Sequence, residues 1–179
     1  MLKIALIGVA VILVGIAGLL AYASTRPDTS RIARAARIEA APERIFALIN
    51  DLPAWQSWSP YEKKDPDMQR SFTGPAAGLG AQYAWAGDRT IGEGRMEIVE
   101  STAPSKVAIR LEFLKPFQHI ALAEFTLQPD PNGATTVTWA MTGPANLISK
   151  VMSVFFNFDR MIGGDFEAGL ADLKTLAEK

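Results

Sequence analysis

Residues 106–113, Lys-Val-Ala-Ile-Arg-Leu-Glu-Phe, alternate between apolar and polar side chains over most of their length. The odd-numbered positions from Val107 to Phe113 are apolar, whereas Arg110 and Glu112 are charged. Successive side chains of a β-strand point to opposite faces, so this pattern predicts a strand with one buried and one solvated face. It is the clearest strand signal in the chain.

Similar short segments lie on both sides of this strand and are separated by turns. The sequence Asn132-Gly133 is typical of a two-residue hairpin turn. Strands joined by tight turns pair in the antiparallel direction. The sequence therefore predicts an antiparallel sheet with further strands at residues 31–40, 68–72, 81–86, 92–100, 118–128 and 135–142.

Helices are predicted before and after the run of strands. Pro42 and Glu43 suit the first turn of a helix that ends at Pro53. From Asn146 onward, apolar residues recur at steps of three and four, which predicts one long helix that is kinked or interrupted at Gly163-Gly164. The simplest packing lays this long C-terminal helix across one face of a curved antiparallel sheet, so the expected fold class is α+β.

Residues 4–23, IALIGVAVILVGIAGLLAYA, contain no charged side chain. A helix of this length matches the hydrocarbon thickness of a bilayer. We therefore expect residues 1–23 to form an N-terminal membrane anchor, residues 24–30 a short linker, and residues 31–179 one folded domain. The predicted localisation is a membrane, through a single-pass anchor.

A cleaved signal peptide is the alternative interpretation of the N-terminal segment. Ala21-Tyr22-Ala23 has the small-x-small form of a cleavage site, although the apolar run is longer than the usual h-region of 7–15 residues. Arginines follow the span and Lys3 precedes it, so the flanking charges leave the membrane side of the domain open.

Composition excludes several classes of function. The net charge is −1, so there is no basic field to attract nucleic acid. The chain contains no cysteine and one histidine, His119, which excludes thiolate chemistry and any site that needs two histidines. No cofactor, metal site or catalytic group is predicted, and the oligomeric state is left open.

Three segments carry a resemblance to a known family: Ala41–Asp51 followed by Trp55 and Trp58, then Gly92–Glu100, then Gly163-Gly-Asp-Phe-Glu-Ala-Gly-Leu170. In that order they resemble the first helical block, a central strand and the gripping helix of the START-like helix-grip (SRPBCC) superfamily, in its polyketide cyclase/dehydrase-type branch. The resemblance covers residues 31–179. It implies a curved antiparallel sheet wrapped round the long C-terminal helix, with a deep apolar cavity between them that binds hydrophobic ligands.

Aromatic and methionine side chains are the candidates for lining such a cavity, since ligand pockets are mostly apolar with few polar groups. Core filling is the alternative for each of them. The candidates are Trp55, Trp58, Tyr83, Trp85, Met96, Phe113, Phe125, Trp139, Met141, Phe155 and Phe158.

Few polar residues are candidates for ligand contact. Glu124 is a possible polar handle if it points inward, but alternation with its apolar neighbours favours the outer face. His119 is expected on a surface or in a loop. The charged residues of strands 92–100 and 106–113, Arg95 and Glu112 among them, are expected to form cross-strand ion pairs on the solvated face.

We therefore expect a membrane-anchored domain that binds a hydrophobic small molecule or lipid without catalysis. A polyketide cyclase/dehydrase-like enzyme is the first alternative, and would need polar residues such as Glu124, Tyr83 or Arg95 in the cavity. A protein-interaction module with a filled core is the second.

The anchor yields the first prediction. Replacing Leu13 or Gly15 by Arg places a charge at the centre of the span, at a cost of about 2.5–3.5 kcal/mol for insertion. We expect these variants to leave the membrane fraction after a carbonate wash, whereas Leu13→Ala stays. Full recovery of Leu13→Arg in washed membranes would count against the anchor.

Overall fold

The structure is a computed structural model that describes residues 2–179. Side chains are described at all of these positions except 2, 4, 5 and 9. The chain forms two compact units. The first comprises the residues up to Ser30 together with Pro144–Phe158, and the second comprises Arg31–Gly143 with Asp159–Lys179. The predicted domain, residues 31–179, thus spans the second unit and part of the first.

Two helices form the first unit. Helix α1 is Leu2–Ser24, and helix α4 is Leu147–Phe155. Asn146 caps α4, because its side-chain Oδ1 accepts a hydrogen bond from the backbone N–H of Ser149 at 2.8 Å. Helix α1 passes the length and hydropathy criteria for a membrane span over Leu6–Ser24.

A seven-stranded antiparallel sheet and the C-terminal helix α5, Phe158–Ala177, dominate the second unit. The strands are β1 Thr29–Ile38, β2 Gln69–Thr73, β3 Gln82–Ala86, β4 Glu93–Thr102, β5 Lys106–Lys115, β6 His119–Pro129 and β7 Thr135–Pro144. Their order in the sheet is β1-β7-β6-β5-β4-β3-β2, so consecutive strands from β2 to β7 are neighbours and β1 lies beside β7. This confirms the predicted α+β fold.

Short helical segments connect β1 to β2. Helix α2, Pro42–Asn50, begins at the predicted proline and buries Ile45 and Ile49. A 3₁₀ helix, Leu52–Ser57, and helix α3, Pro60–Lys64, follow it. This stretch contains Trp55 and Trp58, whose rings pack against Phe125 and Trp139 of the sheet.

The C-terminal region differs from the prediction of one helix interrupted at Gly163-Gly164. The interruption lies earlier, where Phe156 takes an extended conformation (φ −119°, ψ 132°) and ends α4. Helix α5 continues through both glycines. Gly163 serves close packing instead, because a Cβ there would collide with the guanidinium group of Arg34, which binds Asp159 and Glu167.

A second glycine sets how closely α5 approaches the sheet. A Cβ on Gly169 would lie 2.8 Å from Cζ3 of Trp139 and 2.9 Å from Cδ of Pro60. Both neighbours are rigid groups, so neither can move away cheaply. Side chains of α5 at helical spacing, Phe166, Leu170 and Leu173, are fully buried beside this contact.

Substitutions of two glycines in α5 test this packing. We expect Gly169→Ala to lower the free energy of unfolding by about 1–3 kcal/mol, because it overpacks the contact with Trp139. The matched control is Gly164→Ala, where a Cβ meets no atom within 4 Å. There alanine should raise the free energy of unfolding by up to about 1 kcal/mol, since it restricts the unfolded chain. Chemical denaturation measures both, and equal values would refute the close contact.

Candidate functional site on the inner face of the sheet

One face of the sheet lies beneath α5, and we call it the inner face. Register places the predicted strand residues on it together: Tyr83 pairs with Met96, and Phe125 pairs with Trp139. Met141 pairs with Ala123 on the same face. The strand candidates on the inner face are Tyr83, Trp85, Met96, Phe113, Phe125, Trp139 and Met141.

Part of the inner face is closed by an aromatic cluster. The ring of Trp139 stacks on Phe166 of α5, with centroids 4.2 Å apart, and lies 4.9 Å from Phe125. Trp55 and Trp58 complete the cluster, with centroids 4.8 Å apart. All five side chains are buried. Here the rings fill the space between the sheet and α5.

Another part of the inner face remains partly open. Trp85, Phe113 and Met141 are half-buried. The rings of Trp85 and Phe113 have centroids 6.0 Å apart. Gly94, on the strand between them, leaves room for the ring of Trp85, because a Cβ there would collide with it. These side chains therefore retain apolar surface that a bound molecule can contact.

His119, which we expect on a surface or in a loop, lies instead on this open part of the inner face. It is the first residue of β6, is half-buried, and stacks on Phe113 with ring centroids 6.3 Å apart. Its Nε2 atom is 2.8 Å from where a Cβ on Gly143 would sit. The absence of a side chain at Gly143 makes room for the imidazole, a relation between β6 and β7 that local sequence does not reveal.

The indole N–H of Trp139 has no acceptor among the residues that the structure describes, although it is fully buried. The other two tryptophans of the cluster differ in this respect. Trp55 donates its indole N–H to the Ile49 carbonyl at 2.9 Å, and Trp58 donates to the Leu48 carbonyl at 3.2 Å. A buried donor without a partner costs about 1–3 kcal/mol, so Trp139 holds an unused donor inside the packed aromatic cluster.

A buried polar cluster of Glu62, Arg70 and Tyr83 lies at the edge of the inner face. The side chain of Glu62, on α3, is 6% exposed. It accepts hydrogen bonds from the Tyr83 hydroxyl at 2.6 Å and from Nε of Arg70 at 2.7 Å. Local sequence does not reveal this cluster, because Glu62 lies in a strongly charged segment that is typical of a solvated loop.

The cluster shifts the pKa of Tyr83 and of Arg70. Burial raises the pKa of Tyr83 well above its usual value, and the hydrogen bond to Glu62 adds to this. The same carboxylate raises the pKa of Arg70. Tyr83 therefore stays a neutral donor at physiological pH, and Glu62 is held in place by two donors.

The remaining candidates lie elsewhere. Glu124 is on the outer face, where it pairs with Lys106 at 3.3 Å. Phe155 and Phe158 belong to the first unit, in which Phe155 is 67% exposed and Phe158 is half-buried.

The outer face carries charged pairs beside exposed apolar side chains such as Ile120 and Leu122. Arg95 binds Glu112 and Arg110 binds Glu97, each across neighbouring strands at 2.6 Å. This confirms the predicted ion pairs. They line a groove of about 300 Å³ that lies on the solvated side of the sheet. Among the side chains that the structure describes, no group of three His, Asp or Glu residues is placed to hold a metal ion.

Comparison with known families agrees with this architecture. The family described as polyketide cyclase/dehydrase and lipid transport matches residues 29–178. The chain belongs to this family. No curated protein matches it in sequence.

Solved structures of low sequence identity share the fold of this family member. Protein CV1439 from Chromobacterium violaceum is 17% identical, with a TM-score of 0.58 over 86% of this chain and 99% of its own. The Aha1 dimer from Colwellia psychrerythraea is 15% identical, with a TM-score of 0.59 over 83% and 96%. Protein MLL2253 from Mesorhizobium loti is 15% identical, with a TM-score of 0.57 over 82% and 96%.

The buried cluster predicts how the stability of this family member depends on pH. Because the folded-state pKa of Tyr83 is raised above the unfolded value of about 10, its stabilising effect is complete below pH 10 and is lost as pH rises further. We expect Tyr83→Phe to lower the free energy of unfolding at pH 7 by about 1.5–3 kcal/mol, since a hydrogen bond to a carboxylate is lost.

Urea denaturation at a series of pH values measures this effect. The difference in free energy of unfolding between the wild-type protein and Tyr83→Phe should become smaller above pH 10. Burial also raises the pKa of Tyr61, with a further contribution from Asp165, so Tyr61→Phe is measured in parallel. A difference for Tyr83→Phe that is constant with pH would show that the hydroxyl of Tyr83 does not couple to folding in this way.

Proposed function

We propose that this protein is a membrane-anchored binding domain for a hydrophobic small molecule or lipid, which it holds on the inner face of the sheet without catalysis. The unpartnered indole N–H of Trp139 carries this proposal. The aromatic cluster covers that N–H in this structure, so the rings must move apart for a ligand oxygen to reach it and accept the hydrogen bond. The family description, which includes lipid transport, agrees with a ligand of this kind.

The chemistry of the inner face defines the ligand class. Trp85, Phe113 and Met141 offer half-buried apolar surface, and Trp139 offers one donor. Such a surface suits a molecule with a hydrocarbon body and one carbonyl, hydroxyl or carboxylate oxygen. Fatty acids, other lipids and polyketides fit this description.

Helix α1 supports the membrane part of the proposal. Its span has a mean hydropathy of 2.6, and only 6% of that span is buried. A core helix of a soluble protein would bury an apolar surface of this size, so exposure favours a bilayer or a signal sequence over a core position. An anchor would hold the inner face where lipophilic molecules have a high local concentration.

Two alternatives have an observation in their favour. The cluster of Glu62, Arg70 and Tyr83, with His119 on the inner face, offers the titratable groups that a cyclase/dehydrase-like enzyme needs. The packed rings around Trp139 favour a filled-core interaction module. Turnover of a polyketide substrate would support the first, and failure to bind any apolar ligand would support the second.

A brominated fatty acid provides a direct binding test, because bromine quenches tryptophan fluorescence at short range. We expect the full chain in detergent to be quenched with saturation. Trp139→Phe should bind about ten-fold or more weakly, since a hydrogen bond to a charged group contributes about 1.5–3 kcal/mol.

Trp55→Phe is the matched control, because it removes an indole of the same cluster whose N–H is already bonded to Ile49. Trp55→Phe should bind the fatty acid with the affinity of the wild-type protein. Its free energy of unfolding should be about 1–3 kcal/mol lower than that of Trp139→Phe, because the substitution leaves the Ile49 carbonyl without its donor. Equal affinity of both variants would refute the role of the Trp139 N–H, and absence of saturable quenching in all three proteins would refute ligand binding.

A further inference from the structure

Helix α4 presents its apolar side chains outward. Ile148 is 75% exposed and Phe155 is 67% exposed, and Leu147 and Met152 are exposed as well. Steps of three and four residues along a helix bring these side chains to one face. In a water-soluble helix this stripe would be turned toward the core.

The opposite face of α4 is polar and shielded. Lys150 is only 8% exposed, and Ser149 and Ser153 are half-buried. Nζ of Lys150 donates a hydrogen bond to Oδ1 of Asp28 at 2.5 Å. The polar side of α4 is thus used for contacts within the first unit, and its apolar side is left uncovered.

Contacts with the chain that leaves α1 fix the position of α4. Helix α1 ends at Ser24, and Asp28 follows four residues later. The carbonyl of Asp28 accepts a hydrogen bond from the backbone N–H of Ala145 at 2.7 Å, just before α4 begins. Helices α1 and α4 are also in direct contact. The start of α4 is therefore held close to the end of α1.

The end of α1 has the side chains typical of a membrane–water boundary. Arg26 lies over the ring of Tyr22, 5.4 Å from its centroid. Tyrosine is enriched at this boundary, and arginine reaches from it toward the headgroups. If α1 spans the bilayer, α4 begins at the level where headgroups meet acyl chains.

We infer that α4 lies in the interface of the same membrane, with Ile148, Met152 and Phe155 inserted among the lipids, as a second attachment point beside α1. This inference rests on the anchoring role of α1 in the proposed function. Lipid is the occupant that the arrangement favours, because α4 is tied to the exit of the anchor and its one charged residue, Lys150, is turned away from the apolar face.

Single labels report the position of α4 directly, because the chain contains no cysteine. The full chain carrying Phe155→Cys or Ile148→Cys is labelled with an environment-sensitive fluorophore and placed in nanodiscs with or without spin-labelled lipid. We expect the fluorescence emission of both labels to lie at shorter wavelength in nanodiscs, as in an apolar environment. Spin-labelled lipid should quench most of that emission. Two positions are used so that one poorly folded variant does not decide the result.

Asn132→Cys, in the exposed turn between β6 and β7, is the control, and Ser153→Cys tests the polar face of α4. The label at Asn132 should keep its emission, and the label at Ser153 should be quenched less than the label at Phe155. Quenching at Phe155 and Ile148 no stronger than at Asn132, in protein that resists carbonate extraction, would overturn the inference while leaving the anchor intact. Protein that does not co-purify with nanodiscs would overturn both.

Discussion

The close approach of α5 to the inner face of the sheet is the constraint on which the rest of the second unit depends. Gly169 allows it, because only a residue without a side chain leaves Trp139 and Pro60 their positions. Trp139 can then stack on Phe166 and hold the neighbouring tryptophans in one cluster. The same packing buries the indole N–H of Trp139, so the contact that closes the core also creates its unsatisfied donor.

The division of the inner face into a packed part and a half-open part bears on function. Rings around Trp139 give rigidity, whereas Trp85, Phe113 and Met141 keep apolar surface accessible. Among the polar groups at this face, the Tyr83 hydroxyl already donates to Glu62, whereas the indole N–H of Trp139 has no acceptor among the described residues.

Local patterns predict the strands and the sheet well, since alternation in residues such as Val107–Phe113 reflects the two faces directly. They also identify the inner-face aromatics that register brings together. They fail where long-range contacts decide the outcome. Gly163 and Gly164 resemble a helix break but lie within α5, with Arg34 packed where a side chain at Gly163 would be. Glu62 resembles a loop residue but is buried, with hydrogen bonds from Tyr83 and Arg70. Both partners lie on strands, and the periodicity of the segment around Glu62 does not reveal these contacts.

The position of β1 at the edge of the sheet has a consequence for biosynthesis. Its neighbour in the sheet is β7, so residues up to Ile38 must wait for Thr135 and those after it to be translated. An N-terminal segment that engages the membrane first would hold one end of the chain while the ribosome supplies the rest. Closure of a loop this long is slow, and the unpaired edge of β1 is exposed meanwhile. Tethering to a surface would keep such waiting chains apart from one another and so limit aggregation before the last strand arrives.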